Sequence, residues 1–126
     1  MDTDPPLVIV DAANVVGSVP DGWWRDRVGA TERLRDSLVP LAESGIPRAG
    51  VPGPAELVLV VEGAARGVAS VPGVPVVAAP GSGDDAIVDL VREASRACLV
   101  VTADRALRER VTGLGAEVVG PRVVRS

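Results

Sequence analysis

The sequence predicts a three-layer α/β domain built on a central parallel sheet of about five strands. Two patterns and a size carry that expectation. Short, continuous runs of β-branched and aliphatic residues recur, as strands buried on both faces require. Segments of helical period lie between most of them, the order expected of βαβ units. The chain has 126 residues, 47% hydrophobic and 24% charged. That suits a single domain, 1–126, able to bury a core without a disulfide or metal staple.

The elements follow in order. Leu7 to Val10 (LVIV) reads as the first strand, ending at Asp11 before a polar, glycine-bearing exit. Asp21-Gly22 marks a turn. Thr31 to Ser44 carries Leu34, Leu38 and Leu41 at helical spacing, with Pro40 expected to kink or split the helix. Gly45 to Pro54 holds three prolines and three glycines and reads as a connector. Glu56 to Val61 (ELVLVV) is the second strand, ending at Glu62-Gly63, and a short helix is expected over Gly63 to Ser70. Val74 to Ala78 is the third strand, placed at an edge by Pro75. A PGSG turn opens a helix bearing Ile87, Val88, Leu90 and Val91. Cys98 to Val101 is the fourth strand. A helix to about Leu114 and a fifth strand, Glu117 to Val119, complete the set. The ends, 1–5 and 121–126, are expected to fray.

Composition excludes several kinds of chemistry. There is no His, so Ser-His triads and His-ligated zinc are out. One cysteine, Cys98, allows neither an internal disulfide nor a cysteine-rich metal site, and its strand position reads as an inert core thiol. All 13 basic residues are Arg, and the net charge is -4, which gives no general electrostatic grip on nucleic acid. The only aromatics are Trp23 and Trp24, expected to anchor the first crossover in the core, with base stacking as the less favoured role. The N-terminus has no signal-peptide pattern and no run is long enough to span a membrane, so a soluble, cytoplasmic protein is expected.

Acids recur at strand ends and loop-to-helix joins. Asp11 ends strand one, Glu62 ends strand two, Asp104 lies just beyond strand four, and Asp84 and Asp85 open a helix. In an open parallel sheet the strands' carboxyl ends share one edge, where ligands bind at the topological switch point. Neighbouring strands are about 4.8 Å apart, so adjacency of strands one and four brings Asp11 and Asp104 together. Crowded carboxylates repel, and a hard divalent cation such as Mg²⁺ or Mn²⁺ relieves that repulsion. Each acid also has a plain structural role open to it. Asp11 suits an Asx-turn, Asp84 and Asp85 a helix start, and Thr102 with Asp104 a helix cap. Asn14 either orients Asp11 or serves a turn. Ser82 suits capping. Glu62 and Asp89 are weaker site candidates. Arg25, Arg27, Arg105 and Arg108 are candidates to hold a polyanion, with Arg105 best placed because it follows Asp104.

Five segments together resemble the NYN domains, the bacterial branch of the PIN-like nuclease superfamily: LVIVDAANVVG (7–17), VLVVEGAA (58–65), GSGDDAIVDLV (81–91), VVTADRALRERV (100–111) and GLGAEVVG (113–120). The resemblance covers almost the whole chain in order and spacing. It rests on D-x-x-N at Asp11 and Asn14, GDDAI with Asp84, and TADR with Thr102 and Asp104. It implies a sheet in the order 3-2-1-4-5 and a Mg²⁺- or Mn²⁺-dependent ribonuclease whose metal activates water to cut a phosphodiester. It assigns catalysis to Asp11, Asp84 and Asp104. Asp85 joins these as an auxiliary metal ligand, and Asn14, Thr102 and Arg105 act as positioning or substrate residues. The partner implied is RNA, single-stranded, and a homodimer is within the family's habits. Ala12-Ala13 stands where members often carry Gly and Tyr, and Glu62-Gly63 where many carry an aspartate. The alternatives are an RNA- or nucleotide-binding regulatory module and a phosphohydrolase acting on small nucleotide esters.

Overall fold

In the computed structural model, which describes residues 5–125, a five-stranded parallel sheet forms the middle layer. Its strands are β1 (Leu7–Asp11), β4 (Glu56–Val61), β5 (Val76–Ala78), β6 (Cys98–Val101) and β7 (Glu117–Val119). The spatial order is β5-β4-β1-β6-β7. Two further two-residue strands, β2 (Gly45–Ile46) and β3 (Val51–Pro52), form a small antiparallel hairpin within the Pro/Gly connector. Counted over the parallel strands alone, the order is the expected 3-2-1-4-5, with β5 at an edge.

The strand runs are continuously apolar because each face of the sheet has its own core. Val8 and Val10 point to one side, together with Leu57, Leu59, Val61, Leu99 and Val101. There they meet Val15 and Val16 of α1 (Ala12–Gly17) and Leu34 and Leu38 of α2 (Arg27–Ser44). Ile9, Val58, Val60 and Val100 point to the other side. They pack on Ile87, Val88 and Val91 of α3 (Gly83–Glu93) and on Leu107 and Val111 of α4 (Arg105–Thr112). Strand alternation thus sends neighbouring residues into opposite layers. Cys98 is buried, and burial pushes its thiol pKa up.

Five expectations need correction. The exit after Asp11 is a helix, α1, with the Asp11 side chain accepting the Asn14 N–H. α2 starts at Arg27 rather than Thr31, because the Asp26 carboxylate accepts the Gly29 N–H at 2.9 Å and caps it. Pro40 lies inside this helix without splitting it. The C-terminal stretch, expected to fray, packs over 121–125. Pro121 and Val124 are buried, and the Arg125 guanidinium donates to the Val15 and Val16 carbonyls at 3.0 and 3.3 Å. Residues 1–4 and 126 of that expectation lie outside the described residues. The short helix at 63–70 is a 3-10 turn, Gly63–Gly67. No helix among the described residues is long and apolar enough to cross a membrane.

Candidate active site

The sheet order reverses at β1. The chain moves outward from β1 to β4 and β5, then crosses back to β6 on β1's other side. The crevice at such a reversal, beyond the strands' carboxyl ends, is where open α/β sheets bind ligands. Asp11 is the last residue of β1 and sits there 4% exposed. Val10 pairs with Val101, so Thr102 emerges beside Asp11. Asp11 pairs with Val60, so Glu62 emerges two residues further on the opposite flank.

Thr102 is fully buried and links the two motifs of the crevice. Its hydroxyl donates to Asp11 Oδ2 at 2.9 Å and accepts the Asp104 N–H at 3.1 Å. Asn14 closes the same loop from α1. Its side-chain oxygen accepts the Ala103 N–H at 2.8 Å, while its own N–H donates to Asp11 Oδ1 at 3.4 Å. Asp104 Oδ1 accepts the Leu107 N–H at 3.0 Å and so caps α4. The capping roles open to Asp11 and Asp104 are therefore filled, and both acids still stand at the crevice.

Asp84 differs. The cap of α3 is Ser82, whose hydroxyl accepts the Asp85 N–H at 3.2 Å. The Asp84 carboxyl thus does not cap the helix, though it stands in its first turn. Glu62 reaches the same place from the other side. A Cβ built on Gly83 would lie 2.6 Å from Glu62 Oε1, which puts the Glu62 carboxylate directly against the start of α3.

The electrostatics follow from the crowding. Asp11 is raised from 3.8 to about 6, chiefly by burial; hydrogen bonds from Thr102 and Asn14 oppose the rise, and the Asp84 and Glu62 charges add to it. Asp84 is also raised, first by burial and then by Asp104 and Glu62, with Arg110 acting against them. Two acids thus hold their protons more tightly, first because they are withdrawn from water and then because further acids face them. Glu62, a weak candidate from sequence alone, is a member of this set. Its signal was its place at the end of a strand next to β1.

The remaining expected residues divide. Asp85, expected as an auxiliary ligand, pairs with Arg110 of α4 at 3.0 Å on the exposed surface. Arg105 is exposed in the first turn of α4 and makes no ion pair among the described residues. Asp89 is exposed. Trp23 packs half-buried against the core, but Trp24 is 51% exposed, so the Trp pair is not a buried anchor as a unit. Among the described residues no three acidic or thiol side chains come together as a ready-made metal cage. The donor set is nonetheless all hard oxygen and mutually repelling. That suits a hydrated hard cation, since Mg²⁺ usually keeps several waters and takes only one or two carboxylates.

Fold and crevice define a three-layer α/β domain on a parallel sheet, with an acidic rim at its switch point. Two solved structures are similar over nearly the whole chain. Rae1 (YacP) from Bacillus subtilis superposes with a TM-score of 0.70 at 18% identity, covering 98% of this chain and 71% of that one. A tryptophan-to-leucine mutant of the same protein gives 0.68 at 17% identity, covering 94% and 72%. No family model and no curated protein sequence matches the chain.

Proposed function

We propose that this chain is a metal-dependent endoribonuclease that hydrolyses single-stranded RNA at the rim formed by Asp11, Asp84 and Asp104, with Glu62 beside them. One observation carries the reading. Asp84, free of any capping duty, is raised first by burial and then by the charges of Asp104 and Glu62, and its own charge and that of Glu62 add to the rise that burial gives Asp11. A fold gains no stability from such repulsion, so it points to a cationic guest. The resemblance to NYN domains and the PIN-like fold support the same conclusion.

Asp11, Asp84 and Asp104 are the residues to hold Mg²⁺ or Mn²⁺. A bound ion of this kind supplies an activated water and a Lewis acid for the phosphoryl oxygens. The chain's own contributions are positional. Thr102 fixes the Asp11 carboxylate through its hydroxyl and holds Asp104 by its backbone. Asn14 ties α1 to the loop before α4, so the two flanks of the crevice keep their spacing. Arg105, exposed beside Asp104, is the residue to receive a backbone phosphate.

The absence of a ready-made cage among the described residues favours a second reading, a module that holds RNA or a nucleotide without cutting. The test is cleavage of a labelled single-stranded RNA in Mn²⁺. Wild type is expected to cut, and Asp11→Asn and Asp104→Asn to be nearly inactive. Variants as fast as wild type overturn the site assignment. RNA binding with no turnover in any divalent cation supports the second reading.

A further inference from the structure

A pocket of about 240 Å³ lies on the α1–α2 side of the sheet, against the acidic rim. Ala12, the residue after Asp11, forms part of its wall, and Glu62, whose charge acts on Asp11 and Asp84, lines it as well. Ala13, Val16 and Ala65 give it aliphatic lining, and Trp23 and Arg27 line it too. The Arg27 guanidinium carbon stands 5.4 Å from the centre of the Trp23 ring, a cation–aromatic stack. Thr31 adds no free donor, because its hydroxyl is spent on the Arg27 carbonyl at 2.8 Å.

We infer that this pocket receives one unpaired nucleobase of an RNA strand whose scissile phosphate lies at the acidic rim. The inference rests on the nuclease reading for the strand's direction. A phosphate alone does not suit walls that are largely apolar with a carboxylate at the edge. A long aliphatic chain does not fit so small a volume, below the roughly 300 Å³ at which drug-sized sites begin. A flat ring fits: one face lies against the stacked Trp23–Arg27 pair, the other meets Ala and Val methyls, and its attached backbone leads out past Ala12. A strand suits the surface better than a free nucleotide. The exposed Trp24 carries its own guanidinium partner, Arg25, at 6.0 Å, and its ring meets Trp23 edge-on at 5.8 Å. Among the described residues neither Arg25 nor Arg27 forms an ion pair. In a chain of net charge -4 these two guanidiniums form a local cationic track leading to the pocket.

The test is anisotropy of a short labelled oligoadenylate titrated with the full chain in chelator, so that no cleavage occurs. Trp23→Leu is expected to weaken binding about tenfold, the scale of one lost base stack. Ala13→Leu, at an exposed position on the pocket wall, is expected to weaken it similarly without touching the core. An oligomer abasic at one internal position is expected to bind more weakly to wild type than the intact one, and equally to wild type and Trp23→Leu. The inference is overturned if Trp23→Leu and Ala13→Leu both bind as wild type does. It is also overturned if the abasic oligomer binds wild type as well as the intact one, or if adenosine monophosphate alone binds as tightly as the strand. Base-dependent binding without cleavage in Mn²⁺ supports the pocket and defeats the nuclease reading alone, so the two failures are distinct.

Discussion

Asp11 stands nearly out of water with one hydroxyl and one backbone N–H to hold its charge. Its folded pKa, about 6, lies above the ordinary 3.8, so the native state binds the proton more tightly than the unfolded chain does. Stability from this group is full below pH 3.8, falls as pH rises through the window to 6, and is then constant. The loss amounts to at most about 3 kcal/mol. Asp11→Asn is therefore expected to raise the unfolding free energy above pH 6, and to change little below 3.8, in urea titrations with chelator. An unaltered or reduced stability above pH 6 contradicts this account of Asp11. Thr102→Val removes the donor to Asp11 and the acceptor for the Asp104 N–H at once. Its expected cost is about 1–3 kcal/mol, measured the same way. Asp11, Asp84 and Asp104 are legible in sequence because each stands at a strand end or helix start. Glu62's membership and Asp85's pairing with Arg110 are not, because they depend on which way a side chain turns once α3 and α4 are packed.

Helix starts and acids coincide around the crevice, and substitutions can separate the two roles. Asp104 caps α4 and faces Asp84. Asparagine is as good a cap as aspartate but carries no charge. Asp104→Asn is expected to keep thermal stability close to wild type while losing cleavage, whereas Asp104→Ala loses both, with about 1 kcal/mol of stability. Ser82→Ala is expected to cost about 1 kcal/mol with the acids in place, so cleavage measured on the folded protein persists. The strands were legible because a run buried on both faces has no polar interruptions. α1 was not. Its six residues include two valines and end in glycine, too short and too poor in helix formers to signal alone. It forms because Asp11 caps it and Val15 and Val16 are buried in the sheet. The first turn of α2 lacks the leucine period, so the periodicity marks the helix only from Thr31 and the Asp26 cap alone marks its start at Arg27.

The molecule as a whole sets two dry cores against one charged rim. Ile9, fully buried at the centre of the α3–α4 layer, is expected to cost 2–5 kcal/mol when cut to alanine, without changing the acids. The sheet order was legible only through the resemblance, since strand runs show which segments pair but not in what sequence across the sheet. The packed C-terminal stretch escaped notice because its anchor is one arginine reaching the α1 carbonyls, a contact 110 residues apart in the chain. Opposing this well-packed frame is the repulsion among Asp11, Glu62, Asp84 and Asp104, which on the proposed function a divalent cation relieves. Calorimetric titration of Mn²⁺ into the intact chain and into Asp84→Asn tests this most directly, because Asp84 caps nothing and its loss leaves the helix start intact. The account predicts saturable binding to wild type that Asp84→Asn largely abolishes. Equal binding by both proteins, or none by wild type, contradicts it.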